Sequence, residues 1–222
     1  MTSSSDRDAL VLALADDALV ASHRLSEWVA RAPSIEEDVA LANIALDLLG
    51  QARLLYALLG EEDELAYRRP AAEFRNATML ERPHGDFGAT IARMLLLAAH
   101  QYAVYAELGE SADPELAAIA AKAVKEVAYH RDHARTWTLR LGDGTAESHQ
   151  RMQAGLDAEW AWFGELEPSA SAVSWVEQVL LEATLDLPGP VVPVVRAAHT
   201  CDLDDLLAEM REVASAHPGA TW

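Results

Sequence analysis

Residues Ser34 to Leu59 constrain this chain most, because they read as one helix that is apolar nearly all round, through Leu41, Ile44, Leu46, Leu48, Leu49, Leu54, Leu55 and Leu58. A helix with one apolar stripe can lie on a surface, whereas one apolar on most sides has to be enclosed by others. The segment therefore predicts a central position in a helical bundle. Its start is marked by Ser34-Ile-Glu-Glu37, a capping box whose Ser and Glu satisfy the free amides of the first turn. Asn43, Asp47 and Gln51 run along it as a polar line at four-residue spacing, and Asp47 is expected to be buried and paired with a donor.

The remainder of the chain agrees. Asp6 to about Arg31 presents Val11, Leu14, Ala18, Ala21, Leu25 and Trp28 in steps of three and four, the stripe of a bundle helix. Asp86 is a plausible cap for a helix reaching Leu108. Asp113-Pro114-Glu115 begins another, with Asp as cap, Pro in the first turn and Glu on the positive end of the dipole, running to about Leu141. Shorter helices are predicted over Ala146 to Glu165, Ala172 to Leu185 and Leu203 to Ala216, while PGPVVPVV is too rich in proline to be helical. The fold class expected is all-α, a ferritin-like four-helix bundle with additional C-terminal helices, in one domain over residues 1–222.

Charge narrows the function. Seventeen basic residues stand against thirty-six acidic ones, a net charge of −19 that repels a phosphate backbone, so nucleic-acid binding is disfavoured. No apolar run approaches the ~18–20 residues that cross a bilayer and no basic-then-apolar leader is present, so a cytoplasmic chain without membrane partners is expected. The single cysteine, Cys201, lies near His199 but has no activating motif and reads as a packed or incidental thiol. His23, His84, His149 and His217 have no ligand spacing and read as surface or cap residues.

Bundles of this type hold two irons with a Glu-x-x-His pair on each of two helices and a carboxylate from each of the other two, because that spacing turns both ligands inward. The corresponding places here are Asp47-Leu-Leu-Gly50 and Glu126-Val-Ala-Tyr129. Glycine has no side chain to coordinate iron, and Tyr replaces the imidazole, so the di-iron positions Asp47, Gly50, Glu126 and Tyr129 read as degraded and no metal is expected. The competing reading takes Glu126, His130 and His133, at relative positions zero, four and seven, as ligands faced by Asp47 and His100. Without metal, Asp47 and Glu126 read as members of a buried polar network, and His130 and His133 as exposed or partly buried side chains beside Arg131, Asp132 and Arg135.

These residues also carry a resemblance. LVASHRLSEW, APSIEEDVALANIALDLLGQAR, GDFGATIAR, DPELAAIAAKAVKEVAYH and LGDGT follow one another, and LLAEM then HPGATW closes the chain. The order and spacing resemble the C-subunit family (PaaC) of ring 1,2-phenylacetyl-CoA epoxidase, from about Leu12 to Met152 and again from His199. The resemblance implies a ferritin-like, non-catalytic subunit that supports a homologous di-iron A subunit, with a reductase passing electrons from NADPH through flavin and an iron–sulfur cluster. The complex would insert one oxygen atom of O₂ into the ring of phenylacetyl-CoA, which this chain meets only through the complex. From Glu167 to Cys201 the chain is shorter than the family pattern.

Three functions stay open on the sequence: a non-catalytic oxygenase subunit, with or without self-association; a divergent oxygenase subunit or independent metalloprotein using Glu126, His130 and His133; and a storage or stress protein of the ferritin group. For the first, Trp137, Trp160 and Trp162 are candidate partner anchors, although core packing accounts for them equally.

Overall fold

The computed structural model describes residues 4–196 and 199–217; the last five residues of the HPGATW signature, Pro218 to Trp222, lie outside them. The helices are α1 (Ser4–Ser26), α2 (Ile35–Ala57), α3 (Thr78–Glu81), α4 (Phe87–Leu108), α5 (Pro114–Gly142), α6 (Ala146–Phe163), α7 (Ala170–Glu182) and α8 (Cys201–Ala216). Short 3₁₀ and π turns fall between them, and no strand occurs among the described residues. The all-α, ferritin-like class expected from the sequence is the one found. The chain forms two compact units, Met1–Pro83 with Ala197–Trp222, and His84–Arg196.

The caps fall where the residues demand them. Ser34 accepts from the Glu37 amide at 3.3 Å, Asp86 from that of Ala89 at 2.9 Å, and Asp113 from those of Glu115 and Leu116 at 3.0 and 3.2 Å. Helix α1 stops earlier than its periodicity predicts. The chain turns at Ala30, whose left-handed φ of 63° no helix continues, and the Ala30 N–H donates to Asp38. Residues 183–196 contain no helix, as the prolines require.

In the first unit α1 packs along α2 and buries Val11, Leu14, Ala18, Ala21 and Leu25, the predicted stripe apart from the half-buried Trp28. Two acids inside α1 are fully enclosed. Asp16 accepts from Tyr56 Oη, from Arg69 on both oxygens, and from the Arg75 amide at 2.7 Å; Asp17 accepts from the Ala77 amide at 2.7 Å. The long connection after α2 is thereby tied to α1 through its own backbone. Burial works against the Arg69 charge, but the Asp16 carboxylate outweighs it and raises the guanidinium pKa; burial and the same carboxylate push the Tyr56 phenol far up. Arg69 also lies 4.2 Å from the centre of the Phe74 ring.

Helix α8 is fastened to the same unit through α3. Glu81 accepts from the Thr200 amide at 2.6 Å and from the Thr200 hydroxyl at 2.9 Å, while its second oxygen meets Asn76 at 3.0 Å and His199 Nδ1 at 2.7 Å. His199 Nε2 faces the Phe74 carbonyl at 2.9 Å, so both ring nitrogens point at acceptors and only the imidazolium can donate to both. The hydrogen bond to Glu81 raises the His199 pKa against the opposing effect of burial. Burial tends to raise the Glu81 pKa, but bonds from His199, Thr200 and Asn76 prevail and lower it.

A raised His pKa adds stability that is full below the ordinary value of 6.5 and lost as pH rises through the folded value. A lowered Glu pKa adds stability present above the ordinary 4.5 and lost as pH falls through the folded value. The pair is therefore strongest in mildly acidic solution. His23 and His100, whose burial lowers both pKa values to about 4, are uncharged in folded and unfolded chains above about pH 7. We expect the melting temperature to fall as pH rises above the ordinary histidine value of 6.5 and through the raised folded value, and the fall to shrink in His199→Gln. Parallel thermal melts decide it; an unchanged pH dependence in the variant would remove His199 from the account.

The second unit is built on α4, with α5, α6 and α7 packed against it. Its buried ion pair, Arg93 to Glu159, joins α4 to α6 through two bonds of 3.2 and 2.8 Å. The helices approach closely because position 155 is glycine: a Cβ there would stand 2.6 Å from the Ala89 Cα. Trp160 donates to the Gly189 carbonyl at 2.9 Å and so fixes the proline-rich strap to α6.

Candidate functional site

Helix α2 does not lie centrally with all its faces covered. Ile35, Val39, Leu46 and Leu54 are 81, 55, 64 and 39% exposed, while Leu41, Ile44, Leu48, Ala52 and Leu55 face the core. An all-round apolar helix gives no phase from periodicity, so the sequence could not say which side packs on α1. By length and composition α2 is also apolar enough to cross a bilayer, contrary to the expectation; nearly half of it is buried within the fold.

The polar line on α2 divides for a geometric reason. A four-residue step overshoots one turn by about 40°, so Asn43 is exposed, Asp47 half-buried and Gln51 only 1% exposed. Asp47, expected to be buried, therefore sits on the shoulder of the helix. A Cβ added to Gly50 meets nothing within 4 Å, so space does not exclude a larger residue there; what is missing is a ligand.

On α5, Glu126 pairs with Lys122 at 3.0 Å, one turn back on the same helix. Tyr129 is 52% exposed, with its ring centre 6.3 Å from that of His133 and 6.5 Å from that of His130. His130 is buried at 3% exposure, whereas Glu126 and His133 are half-buried. The zero, four and seven spacing thus spans two depths, with only His130 fully buried. On α4, His100 is buried, and burial together with the charge of Arg196 lowers its pKa to about 4. Among the described residues no group of three or more His, Cys, Asp or Glu side chains is arranged to hold a metal ion. Gly50 and Tyr129 stand at the two positions where a di-iron centre of this type takes a histidine, and they do not fit one.

Other site residues fall differently from expectation. Cys201 is exposed, not packed, and both nitrogens of His199 are engaged by Glu81 and Phe74, which leaves none to activate the thiol. His84 is buried, with Nδ1 3.3 Å from the Thr90 hydroxyl, and His23 is half-buried, so neither is a surface residue; His149 does serve as a cap, its Nδ1 2.8 Å from the Gly142 carbonyl. Of the tryptophans, Trp160 is core and Trp137 packs edge-on against Phe87 at 4.9 Å, so both are occupied within the second unit.

The largest exposed apolar side chains of α2 are Ile35, Val39 and Leu46, which together leave one side of that helix open among the described residues. The chain is similar to the C subunit of the 1,2-phenylacetyl-CoA epoxidase of Escherichia coli (strain K12), at 40% identity over 243 aligned positions that cover 96% of this chain and 98% of that one. The alignment is longer than the 222 residues here, so that relative carries residues this chain lacks. Residues 2–222 match the family described as phenylacetic acid catabolic protein, and the chain belongs to that family.

Proposed function

We propose that this chain is the structural C-type subunit of a phenylacetyl-CoA ring epoxidase, acting in aerobic phenylacetate catabolism as the partner of a homologous A subunit that holds the di-iron centre. The observation that carries the reading is the 40% identity to such a subunit along nearly the whole of both chains. Gly50 and Tyr129 at the two ligand positions support a role without metal chemistry, and the exposed Ile35, Val39 and Leu46 on α2 supply an apolar face suited to a partner. On this reading the iron resides in the A subunit, and NADPH, flavin and an iron–sulfur cluster in the reductase. Trp137 and Trp160, taken up by packing within the second unit, are not needed as anchors.

The reading is tested by iron content and assembly together. After incubation with ferrous iron and desalting, the chain alone is expected to retain no stoichiometric iron. Mixed with a homologue that has two intact Glu-x-x-His pairs, it is expected to elute as a complex whose iron follows the homologue. Roughly two tightly held irons per chain, as a dinuclear site of this class carries, would overturn the proposal, as would failure to assemble. Leu46→Asp, which sets a charge on the exposed face of α2, is expected to weaken assembly without lowering the melting temperature.

A further inference from the structure

Arg131 is the unusual cation of the second unit. Its guanidinium carbon lies 4.0 Å from the centre of the Tyr102 ring on α4 and 4.1 Å from that of the Trp175 ring on α7. Stacking of this kind holds the plane rigidly and leaves only the N–H edge for hydrogen bonds. The chain has more than two acids for every base, yet no carboxylate among the described residues pairs with Arg131, and its buried Nε has no hydrogen-bond partner. By contrast Arg69, Arg93, Arg135 and Arg151 all reach an acid. Burial lowers the Arg131 pKa, opposed only by Tyr102.

Arg131 lines a cavity of about 500 Å³ between α4, α5 and the start of α7. Small apolar side chains, Ala99, Ala103 and Ala172, form much of its wall, and Ser171 adds a hydroxyl. Glu107 and Glu167 also line it, and both are exposed, so they stand toward solvent. A rigid, unpaired guanidinium edge beside alkyl walls matches a planar carboxylate with an apolar body. The two glutamates disfavour any ligand bearing a second negative charge.

We propose that this cavity is a binding site for a small monocarboxylate, with the head group on the N–H edge of Arg131 and an unbranched apolar body along Ala99 and Ala103. The site lies wholly within the second unit and uses none of the residues at the degraded iron positions.

The test is calorimetric titration of the full chain with sodium hexanoate, hexan-1-ol and sodium phosphate in separate runs. Saturable binding of hexanoate alone is expected. Arg131→Met, which keeps an unbranched apolar chain between the rings but removes the charge, is expected to weaken hexanoate binding by about tenfold or more, the effect of losing a charge-assisted bond. Ala103→Leu crowds the alkyl wall of the cavity and is expected to weaken hexanoate binding, which decides the matter if Arg131→Met fails to fold. No heat with hexanoate, equal binding of hexan-1-ol, equal binding of phosphate, or unchanged affinity in either folded variant would each overturn the proposal.

Discussion

Asp16→Ala is expected to destabilise the first unit by about 3–5 kcal/mol, the usual result of removing one partner of a buried ion pair. Asp16 is fully enclosed and receives bonds from Tyr56, Arg69 and the Arg75 amide, while Arg69 is itself 9% exposed. Taking away the carboxylate strands a guanidinium, a phenol and a backbone N–H in a site that water does not readily refill. In a chain of this size each kcal/mol moves the melting temperature by about 2–4 °C, so a fall of roughly 10 °C is expected. Asp16→Leu combined with Arg69→Met removes both charges and should cost less than Asp16→Ala alone, because no charge is left unpaired. Thermal melts and denaturant titrations of the three proteins measure this. A shift of about 1 °C in Asp16→Ala would mean that the cluster is solvated and does not hold the connection to α1.

That cluster also marks where reading the sequence stops. Helix starts were legible because the information is local: Ser34, Asp86 and Asp113 each satisfy amides within three residues of themselves. Asp16 and Asp17 were not, since their partners lie 40 to 60 residues away, all but Tyr56 in a connection without a helical period. The phase of α2 was lost for the opposite reason, an excess of apolar residues on every side. The absence of a ligand at Gly50 was legible because a motif needs only spacing and residue type. Arg131 was not, because an arginine among polar helix residues reads as a solvated face until α4 and α7 bring Tyr102 and Trp175 against it.

The largest functional effect is expected on turnover of the reconstituted oxygenase. With a di-iron A subunit and its reductase but without this chain, oxidation of phenylacetyl-CoA should fall by about a hundredfold, since a reacting geometry displaced by about 1 Å loses a factor of that order. Adding the chain should restore the rate. Glu126→Gln with His130→Ala tests the other half of the proposal, because these are the residues that an active site in this chain would have to use. Glu126 is tied to Lys122 on its own helix and His130 is buried in α5, so on the proposed reading their loss bears on packing and not on a reacting atom. The doubly substituted chain, once shown by melting and gel filtration to fold and to bind the A subunit, should recover most of the rate. Normal assembly with turnover still down about a hundredfold would give these residues a direct chemical part, and the support role would then be wrong.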